Sequence, residues 1–173
     1  VVGVDIDQLD ISDGLTPTDT EADITYTAGG DKYWVVVNVV GIDVYRAIIQ
    51  PRLSDKEWTL HDDADGSGGP TPGDTIRYTI HLENAGTAPG YVTVNDPMPE
   101  QVSSWTLVDD GGGTDASTAD TLIVQDIYVD GGGTEDVVFD VVIAEGTLDT
   151  IMSNVAAFDA GPDGNSGSLA ASP

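Results

Sequence analysis

The stretch that decides the fold lies near the middle of the chain and reads DTIRYTIHLEN at residues 74–84. Apolar side chains alternate with polar ones along it. The apolar set is Ile76, Tyr78, Ile80 and Leu82, and the polar set is Thr75, Arg77, Thr79 and His81. A period of two places the two sets on opposite faces of a β-strand. The stretch therefore predicts an antiparallel strand with one face in a core and one face in solvent.

Similar stretches flank it on both sides. The sequence predicts strands at residues 57–62, 74–84, 90–96, 104–109, 121–129, 135–145 and 150–159. Turn-forming runs separate them, rich in Gly and Asn, at residues 66–70, 84–86, 111–113 and 131–133. Short strands divided by frequent turns are typical of an immunoglobulin-like, seven-strand β-sandwich. We therefore expect an all-β fold.

The first part of the chain predicts a smaller β unit. Strand patterns occur at residues 1–11, 21–28, 32–40 and 42–49, too few to bury a core of their own. Residues 20–26 resemble 134–139, and residues 38–43 resemble 154–159, as if the last strands of a sandwich were repeated. We expect three regions: a partial β unit at 1–55, completed by a neighbouring subunit, a sandwich at 56–160 and a Gly/Ser-rich tail at 161–173.

The charge excludes several classes of function. The chain has 173 residues, with 31 acidic against 5 basic side chains, a net charge of −26 and no Cys. Nucleic-acid binding requires clustered Lys and Arg, and disulfides and thiolate metal sites require Cys. The sequence contains no apolar run long enough to cross a membrane as a helix.

Many of the acids lie in predicted loops. In a seven-strand sandwich alternate loops share an end, so we expect one end to gather Asp62, Asp63, Asp65, Asp96, Asp130, Asp159 and Asp163. Repulsion among so many carboxylates is relieved by cations, and calcium prefers oxygen ligands on bendable loops. We expect a calcium site there. The alternative is that these acids are solvated turn residues.

The same residues give no catalytic pattern. Acids are so frequent that pairs of carboxylates arise by chance, and no Ser-His-Asp motif is present. We expect that the protein is not an enzyme.

The N-terminal segment has the character of an assembly strand, because it is apolar and lies at a chain end. Its apolar residues are Val1, Val2, Val4 and Ile6. Inserted into the open edge of a neighbouring copy, such a strand would join subunits head to tail into a homopolymeric filament. The alternative is that the chain is a piece of a longer tandem-repeat protein, which would show the same orphan strands.

Several short motifs resemble a known family. These are Gly73-Asp74-Thr75, Asp96-Pro97-Met98-Pro99 and Asn154-Val155-Ala156. Residues 56–160 resemble the repeat called "domain of unknown function 11", and residues 1–50 resemble it only in part. The resemblance implies tandem Ig-like modules of secreted or surface-anchored proteins of bacteria and archaea. It implies a structural or adhesive role, an extracellular or cell-surface location and no catalytic residues.

Some related surface domains join a first-strand Lys to a last-strand Asn through an amide bond. His61 stands where such repeats often carry Lys, so the sequence favours the absence of a Lys56–Asn154 bond. The sequence as a whole predicts a structural subunit of an extracellular filament, assembled by strand complementation and stabilised by calcium. The alternatives are a spacer or adhesive repeat of a long surface protein and a carbohydrate-binding accessory module.

Overall fold

The computed structural model describes residues 14, 16, 19, 21, 23–27, 29–30, 39, 41, 45–147, 151–161, 166–171 and 173. The chain divides into two compact units, residues 1–43 and residues 44–173. The predicted assembly strand, Val1, Val2, Val4 and Ile6, lies outside the described residues, and so does Asp163. In the first unit, residues 23–27 form no strand, and Thr16 and Asp19 close a turn through two hydrogen bonds.

The described part of the second unit contains nine strands in two antiparallel sheets. They are β1 (Asp55–Asp62), β2 (Thr75–Glu83), β3 (Gly90–Pro97), β4 (Val102–Asp109), β5 (Thr114–Asp115), β6 (Thr121–Val129), β7 (Thr134–Ile143), β8 (Asn154–Asp159) and β9 (Gly167–Ala171). One sheet has the order β1-β2-β7-β4 and the other β5-β6-β3-β8-β9. The prediction of an immunoglobulin-like β-sandwich is confirmed.

Strand β2 has the two faces that its alternation predicts. Ile76, Tyr78, Ile80 and Leu82 are fully buried, and their side chains form the centre of the core. Tyr78 lies opposite Phe139 of β7, and the two rings stack with centroids 5.3 Å apart. Burial of such large side chains supplies most of the driving force for folding.

No helix long and apolar enough to cross a membrane is found among the described residues.

Two strands were not predicted from the sequence. Strand β5 is only two residues long, but it carries the chain back along the sandwich between β4 and β6. Strand β9 lies within the segment expected to be a Gly/Ser-rich tail, and it pairs with β8 along the edge of the five-stranded sheet. Its alternation of buried and exposed residues is short and involves small side chains. The Gly and Ser content therefore makes the strand hard to recognise from the sequence.

The sandwich also begins earlier in the chain than the sequence predicts. Ala47 and Ile49 are buried, and Ile49 forms a bridge with Asn84 at the end of β2. The structural boundary therefore falls at residues 43 and 44, whereas the sequence places it at 55 and 56. The predicted strand at 42–49 amounts to this one bridge within its described residues.

Candidate functional site: a buried lysine, aspartate and asparagine

Lys56 points into the core from β1, at the edge of the four-stranded sheet. It lies opposite Ile80 and is in phase with Trp58 and Leu60, which pack against the core. The period of two therefore makes Lys56 an inward position, and its side chain is 0% exposed. A buried Lys is rare unless its ammonium group has a partner.

Asp96 reaches the same space from the other sheet. It lies on β3, in phase with the buried Val92 and Val94, and its side chain is also 0% exposed. Lys56 Nζ lies 2.5 Å from Asp96 Oδ2. The two residues join the facing sheets through an ion pair inside the core.

Aromatic rings surround the Lys56 amine. Nζ lies 4.7 Å from the centroid of the Tyr78 ring and 5.3 Å from that of Phe139. The π face of each ring attracts a cation, but it offers the amine no conventional hydrogen-bond acceptor. The amine is therefore held in an apolar pocket in which Asp96 is its hydrogen-bond partner.

Asn154 is the third polar residue in this part of the core. It lies on β8, in phase with the buried Ala156 and Phe158, and is fully buried. The β3–β8 register pairs Val94 with Phe158, so Asp96 falls opposite Ala156 and Asn154 is the next inward position on β8. Diagonal neighbours of this kind are close enough for side-chain contact. Asn154 also pairs with Ala171 of β9, the strand that packs against β1.

Several polar side-chain atoms of this site have no hydrogen-bond partner among the described residues. Asp96 Oδ1 and both Asn154 side-chain atoms, Nδ2 and Oδ1, are buried without a hydrogen-bond partner among the described residues, as is the Tyr78 hydroxyl. Leaving a buried polar group unpaired costs about 1–3 kcal/mol. Such atoms are uncommon in native proteins, and a cluster of them calls for an explanation.

Asn84 shows that this fold can satisfy a buried amide. It is also fully buried, but its Oδ1 accepts from the backbone N–H groups of Ile48 and Gly86, and its Nδ2 donates to the carbonyls of Ala88 and Val129. Asn84 thus makes four hydrogen bonds where Asn154 makes none with described residues. The contrast indicates that the Asn154 carboxamide has a role other than holding the backbone.

Burial changes the protonation of the pair. It lowers the pKa of the Lys56 amine, and the charge and hydrogen bond of Asp96 oppose this only in part. It raises the pKa of the Asp96 carboxyl, again against the effect of Lys56. Both shifts favour the neutral forms, because a low dielectric disfavours charge. Burial also raises the pKa of Tyr78, so its ring remains a neutral phenol.

The structure corrects the prediction that Asp96 is a calcium ligand. Its carboxylate faces Lys56 in the core rather than an acidic loop. His61, which the sequence comparison puts where such repeats often carry Lys, lies on the outer face of β1 with its side chain 45% exposed. The signal that could have found Lys56 is its spacing of two and four residues from Trp58 and Leu60.

A second group of acids does come together. Carboxylate oxygens of Asp63, Asp65 and Asp74 lie within 4.8 Å of one another, in the loop between β1 and β2, and could hold a metal ion. Asp62, at the end of β1, is not part of this group. Asp74, which the sequence analysis did not propose as a ligand, is buried and accepts from the N–H groups of Ala64 and Thr71. Its position directly before β2, beside the Gly-rich loop, is the sequence signal that could have identified it.

Loop hydrogen bonds keep two of these acids anionic. The backbone N–H of Ser67 lowers the pKa of Asp65, and that of Thr71 lowers the pKa of Asp74. Asp63 accepts from the N–H groups of Ser67 and Gly68. Hydrogen bonds to a charged carboxylate favour that form. These contacts also define the conformation of the loop.

The remaining predicted ligands lie at the other end of the sandwich. The β1–β2 loop is beside the end of β7, where Gly73 donates to the Ile143 carbonyl. Asp130 follows β6 at the opposite end, beside the Asn84 turn, and β8 also runs toward that end before Asp159. The prediction of one acidic end is wrong. The extra crossing made by β5 reverses the direction of every later strand.

Comparisons with known proteins find solved structures of similar fold but no matching protein family. No protein-family profile matches the chain, and no curated protein matches it. The solved structures it resembles include the full-length major pilin SpaD from Corynebacterium diphtheriae, at 18% identity, TM-score 0.42, over 69% of this chain and 34% of the pilin. The chain thus corresponds to about a third of the pilin's length.

Two further structures resemble the chain to a similar degree. BslA, a bacterial hydrophobin, is 12% identical, with TM-score 0.41, over 69% of this chain and 91% of that one. A GH20 exo-β-N-acetylglucosaminidase from Vibrio harveyi is 9% identical, with TM-score 0.35, over 70% of this chain and 17% of that one. At these identities the likeness extends to the course of the backbone and not to function.

Proposed function

We propose that the protein is a structural module of an extracellular or cell-surface fibre, and that it has no catalytic role toward an external substrate. The observation that carries this proposal is the position of its unusual polar groups. Lys56, Asp96 and Asn154 are all fully or almost fully buried in the core, out of reach of an external substrate. Sequence resemblance to the "domain of unknown function 11" repeat supports the same role.

The surface charge suits a role outside the cell as a solvated, non-aggregating module. A net charge of −26 opposes nonspecific aggregation and attachment to nucleic acid or anionic lipid. Localisation is tested by fractionating the source cells and probing with antibody. Recovery in the cytoplasmic fraction alone would contradict the proposal.

The finer form of the proposal is a filament subunit that assembles head to tail with copies of itself. The donor segment would contain Val1, Val2, Val4 and Ile6. Size-exclusion chromatography and negative-stain microscopy of the purified chain distinguish filaments from monomers. Monomers under all conditions would support the other form of the proposal, a spacer or adhesive repeat within a longer protein.

A substitution pair tests the donor segment. Placing charge on its apolar face with Val2→Asp and Val4→Asp should abolish assembly, because these side chains would fill pockets in the neighbouring copy. Asp5→Ala changes the opposite face of the same segment and should leave assembly intact. Filaments of normal length from the double variant would exclude this segment as the donor.

Calcium binding is proposed at Asp63, Asp65 and Asp74, because these carboxylates converge and carry high local charge. Isothermal titration with CaCl₂ measures binding, and the melting temperature with and without chelator measures its effect on stability. The variant Asp63→Asn/Asp65→Asn should lose both effects. The control Asp109→Asn/Asp110→Asn alters acids that accept from turn N–H groups at the opposite end and should retain them. The absence of calcium heat in the unaltered protein would refute the site.

A further inference from the structure

We propose that Lys56 and Asn154 become joined by an amide bond inside the folded sandwich, with Asp96 transferring the protons. The inference goes beyond the structural role, since a chain without the bond could still serve as a fibre module. It rests on the geometry of three buried residues and on the chemistry of their side chains. It differs from the expectation, drawn from His61, that no such bond forms.

The placement of the three residues puts an amine and a carboxyl in contact in the core, with a buried carboxamide on the neighbouring strand β8. Lys56 Nζ is fixed 2.5 Å from Asp96 Oδ2 by a hydrogen bond. Asn154 is the inward neighbour, along β8, of the position opposite Asp96. Strand β9, which pairs with Asn154 on one side, packs against the strand that carries Lys56.

The unpartnered atoms are those that the reaction uses. Asn154 Oδ1 and Nδ2 have no partner among the described residues, and Asp96 has one oxygen, Oδ1, in the same condition. A protonated Asp96 can donate to the Asn154 carbonyl oxygen and polarise it. The carbonyl carbon Cγ then becomes the electrophile, and the Lys56 amine becomes the nucleophile.

The site also sets the protonation that the reaction needs. Attack requires Lys56 as a free amine and Asp96 as an acid, which are the forms that burial favours for both groups. Transfer of one proton from the Lys56 ammonium to the Asp96 carboxylate converts the ion pair into this reactive neutral pair. The apolar walls formed by Tyr78 and Phe139 stabilise the neutral state and shield it from water.

The bonds and protons balance without any added reagent. The Nζ lone pair attacks Cγ of Asn154, and the C=O electrons move to Oδ1, which is stabilised by the Asp96 proton. Asp96 then takes a proton from Nζ and delivers it to Nδ2. The Cγ–Nδ2 bond breaks and ammonia leaves. The products are a Lys56–Asn154 amide, one molecule of NH₃ and an Asp96 carboxyl in its starting protonated form.

The bond would have a mechanical consequence. It would connect β1 to β8 and so enclose most of the sandwich in a covalent loop between residues 56 and 154. Force applied at the two ends of the chain would pass through the crosslink, and the strands between would remain folded. Such a device suits the proposed structural role but is detected independently of it.

Intact-mass spectrometry of the purified full chain gives the first test. The bond lowers the mass by about 17 Da, because one ammonia is lost. Trypsin gives the second test, because the chain has few cleavage positions: Lys32, Arg46, Arg52, Lys56 and Arg77. The crosslinked chain should yield one branched species in which residues 53–77 are attached to residues 78–173. An unlinked chain yields 53–56, 57–77 and 78–173 as separate peptides.

Variants assign the chemistry to the three residues. Lys56→Met, Asn154→Ala and Asp96→Asn should each have the mass of their unmodified sequence. Asp55→Asn and Asn95→Ala alter exposed neighbours of Lys56 and Asp96 on the same strands and should retain the mass loss. If a core variant fails to fold, the mass and the branched peptide of the unaltered protein still decide the question.

Two results would overturn the proposal. One is an unaltered protein with its full sequence mass and a free 53–56 peptide after folding is complete. The other is a mass loss that persists in Lys56→Met, which would place the lost ammonia elsewhere in the chain.

Discussion

Lys56 and Asp96 meet in the interior of the sandwich although they belong to different sheets, with Nζ 2.5 Å from Oδ2 and both side chains fully buried. An ion pair in this position must overcome the cost of removing two charges from water. A buried ion pair is therefore weak evidence of a contribution to stability. The buried Asn154 side chain, which has no hydrogen-bond partner among the described residues, is the observation from which the proposed amide bond is argued.

The first prediction concerns the two residues of this pair. Asp96→Leu leaves the Lys56 amine buried without its partner, whereas Lys56→Met/Asp96→Leu replaces both by apolar side chains. We expect the single variant to be less stable than the double variant by about 3 kcal/mol, because removing one partner leaves the polar Lys56 amine buried without a hydrogen-bond partner. Neither variant can form the crosslink, so the comparison isolates the pair. Urea denaturation measures it, and equal stabilities would contradict the assignment of a buried ion pair.

The second prediction concerns Asn84, the satisfied counterpart of Asn154. Asn84→Ala leaves the N–H groups of Ile48 and Gly86 and the carbonyls of Ala88 and Val129 without their partner. We expect a loss of about 3 kcal/mol or more in the free energy of unfolding, since each buried group left unpaired is costly. Asn95→Ala, on the exposed face of β3, should change stability little. A small effect at Asn84 would show that its four side-chain hydrogen bonds contribute little to stability.

The third prediction concerns Arg77 and Asp140, which face each other on the outer side of β2 and β7. Arg77 Nε and Nη2 donate to the two Asp140 carboxylate oxygens at 2.7 and 2.8 Å. The hydrogen bonds from Arg77 lower the pKa of Asp140 below its ordinary value of 3.8. A carboxyl with a lowered folded pKa stabilises the fold above its unfolded pKa and loses that contribution as the pH falls through the folded value.

Arg77→Met should therefore destabilise the protein slightly at neutral pH, because the ion pair is partly exposed and screened by solvent. The difference from the unaltered protein should shrink as the pH falls below 3.8. Arg52→Met removes an exposed Arg that contacts Gln50 and should show no such pH dependence. A constant difference from pH 7 to pH 2.5, measured by chemical denaturation, would exclude the ion pair as its cause.

The fourth prediction concerns His81, on the same outer face. Burial lowers its pKa, but hydrogen bonds to Asp136 at 2.6 Å and to Glu57 at 3.2 Å outweigh this, and the pKa rises above its ordinary value of 6.5. The protonated form is thus favoured by folding. Its contribution is complete below pH 6.5 and is lost as the pH rises through the folded pKa.

His81→Gln should consequently be less stable than the unaltered protein at pH 5.5, by less than about 1 kcal/mol because the site is partly exposed, and equally stable at high pH. Thermal unfolding at a series of pH values measures the difference. His61→Gln, on the adjacent strand, is the matched substitution. The same pH profile in both variants would show that the effect does not arise from the Asp136 and Glu57 contacts.

Much of the fold could be predicted from residues 74–84 and their neighbours. The alternation at Ile76, Tyr78 and Ile80 identifies both the strand and its buried face, because the β pleat imposes a period of two wherever one face is covered. What could not be predicted was β5, because two residues carry no periodicity, and β9, because small side chains give little contrast. These short strands matter out of proportion to their length, since β5 determines at which end of the sandwich each later loop lies.

The candidate site was only partly predictable. Asp63 and Asp65 were correctly placed near each other because they are neighbours in the sequence, and Asp74 completes their group through the loop between β1 and β2. Asp130 and Asp159 were assigned to the same end because the strands were counted without β5. The calcium prediction itself remains a proposal.

The sequence by itself determined the class of this protein: an acidic, cysteine-free β-sandwich, because composition and local alternation are properties of the chain alone. Only the tertiary structure decided that Lys56 and Asp96 meet in the core, with the buried Asn154 on the strand beside Asp96. These residues are far apart in the sequence and lie on strands of two sheets, so their meeting depends on the register between β3 and β8 and on the packing of β1 against β9. Their chemistry follows from burial, which is a property of the assembled core and not of any segment.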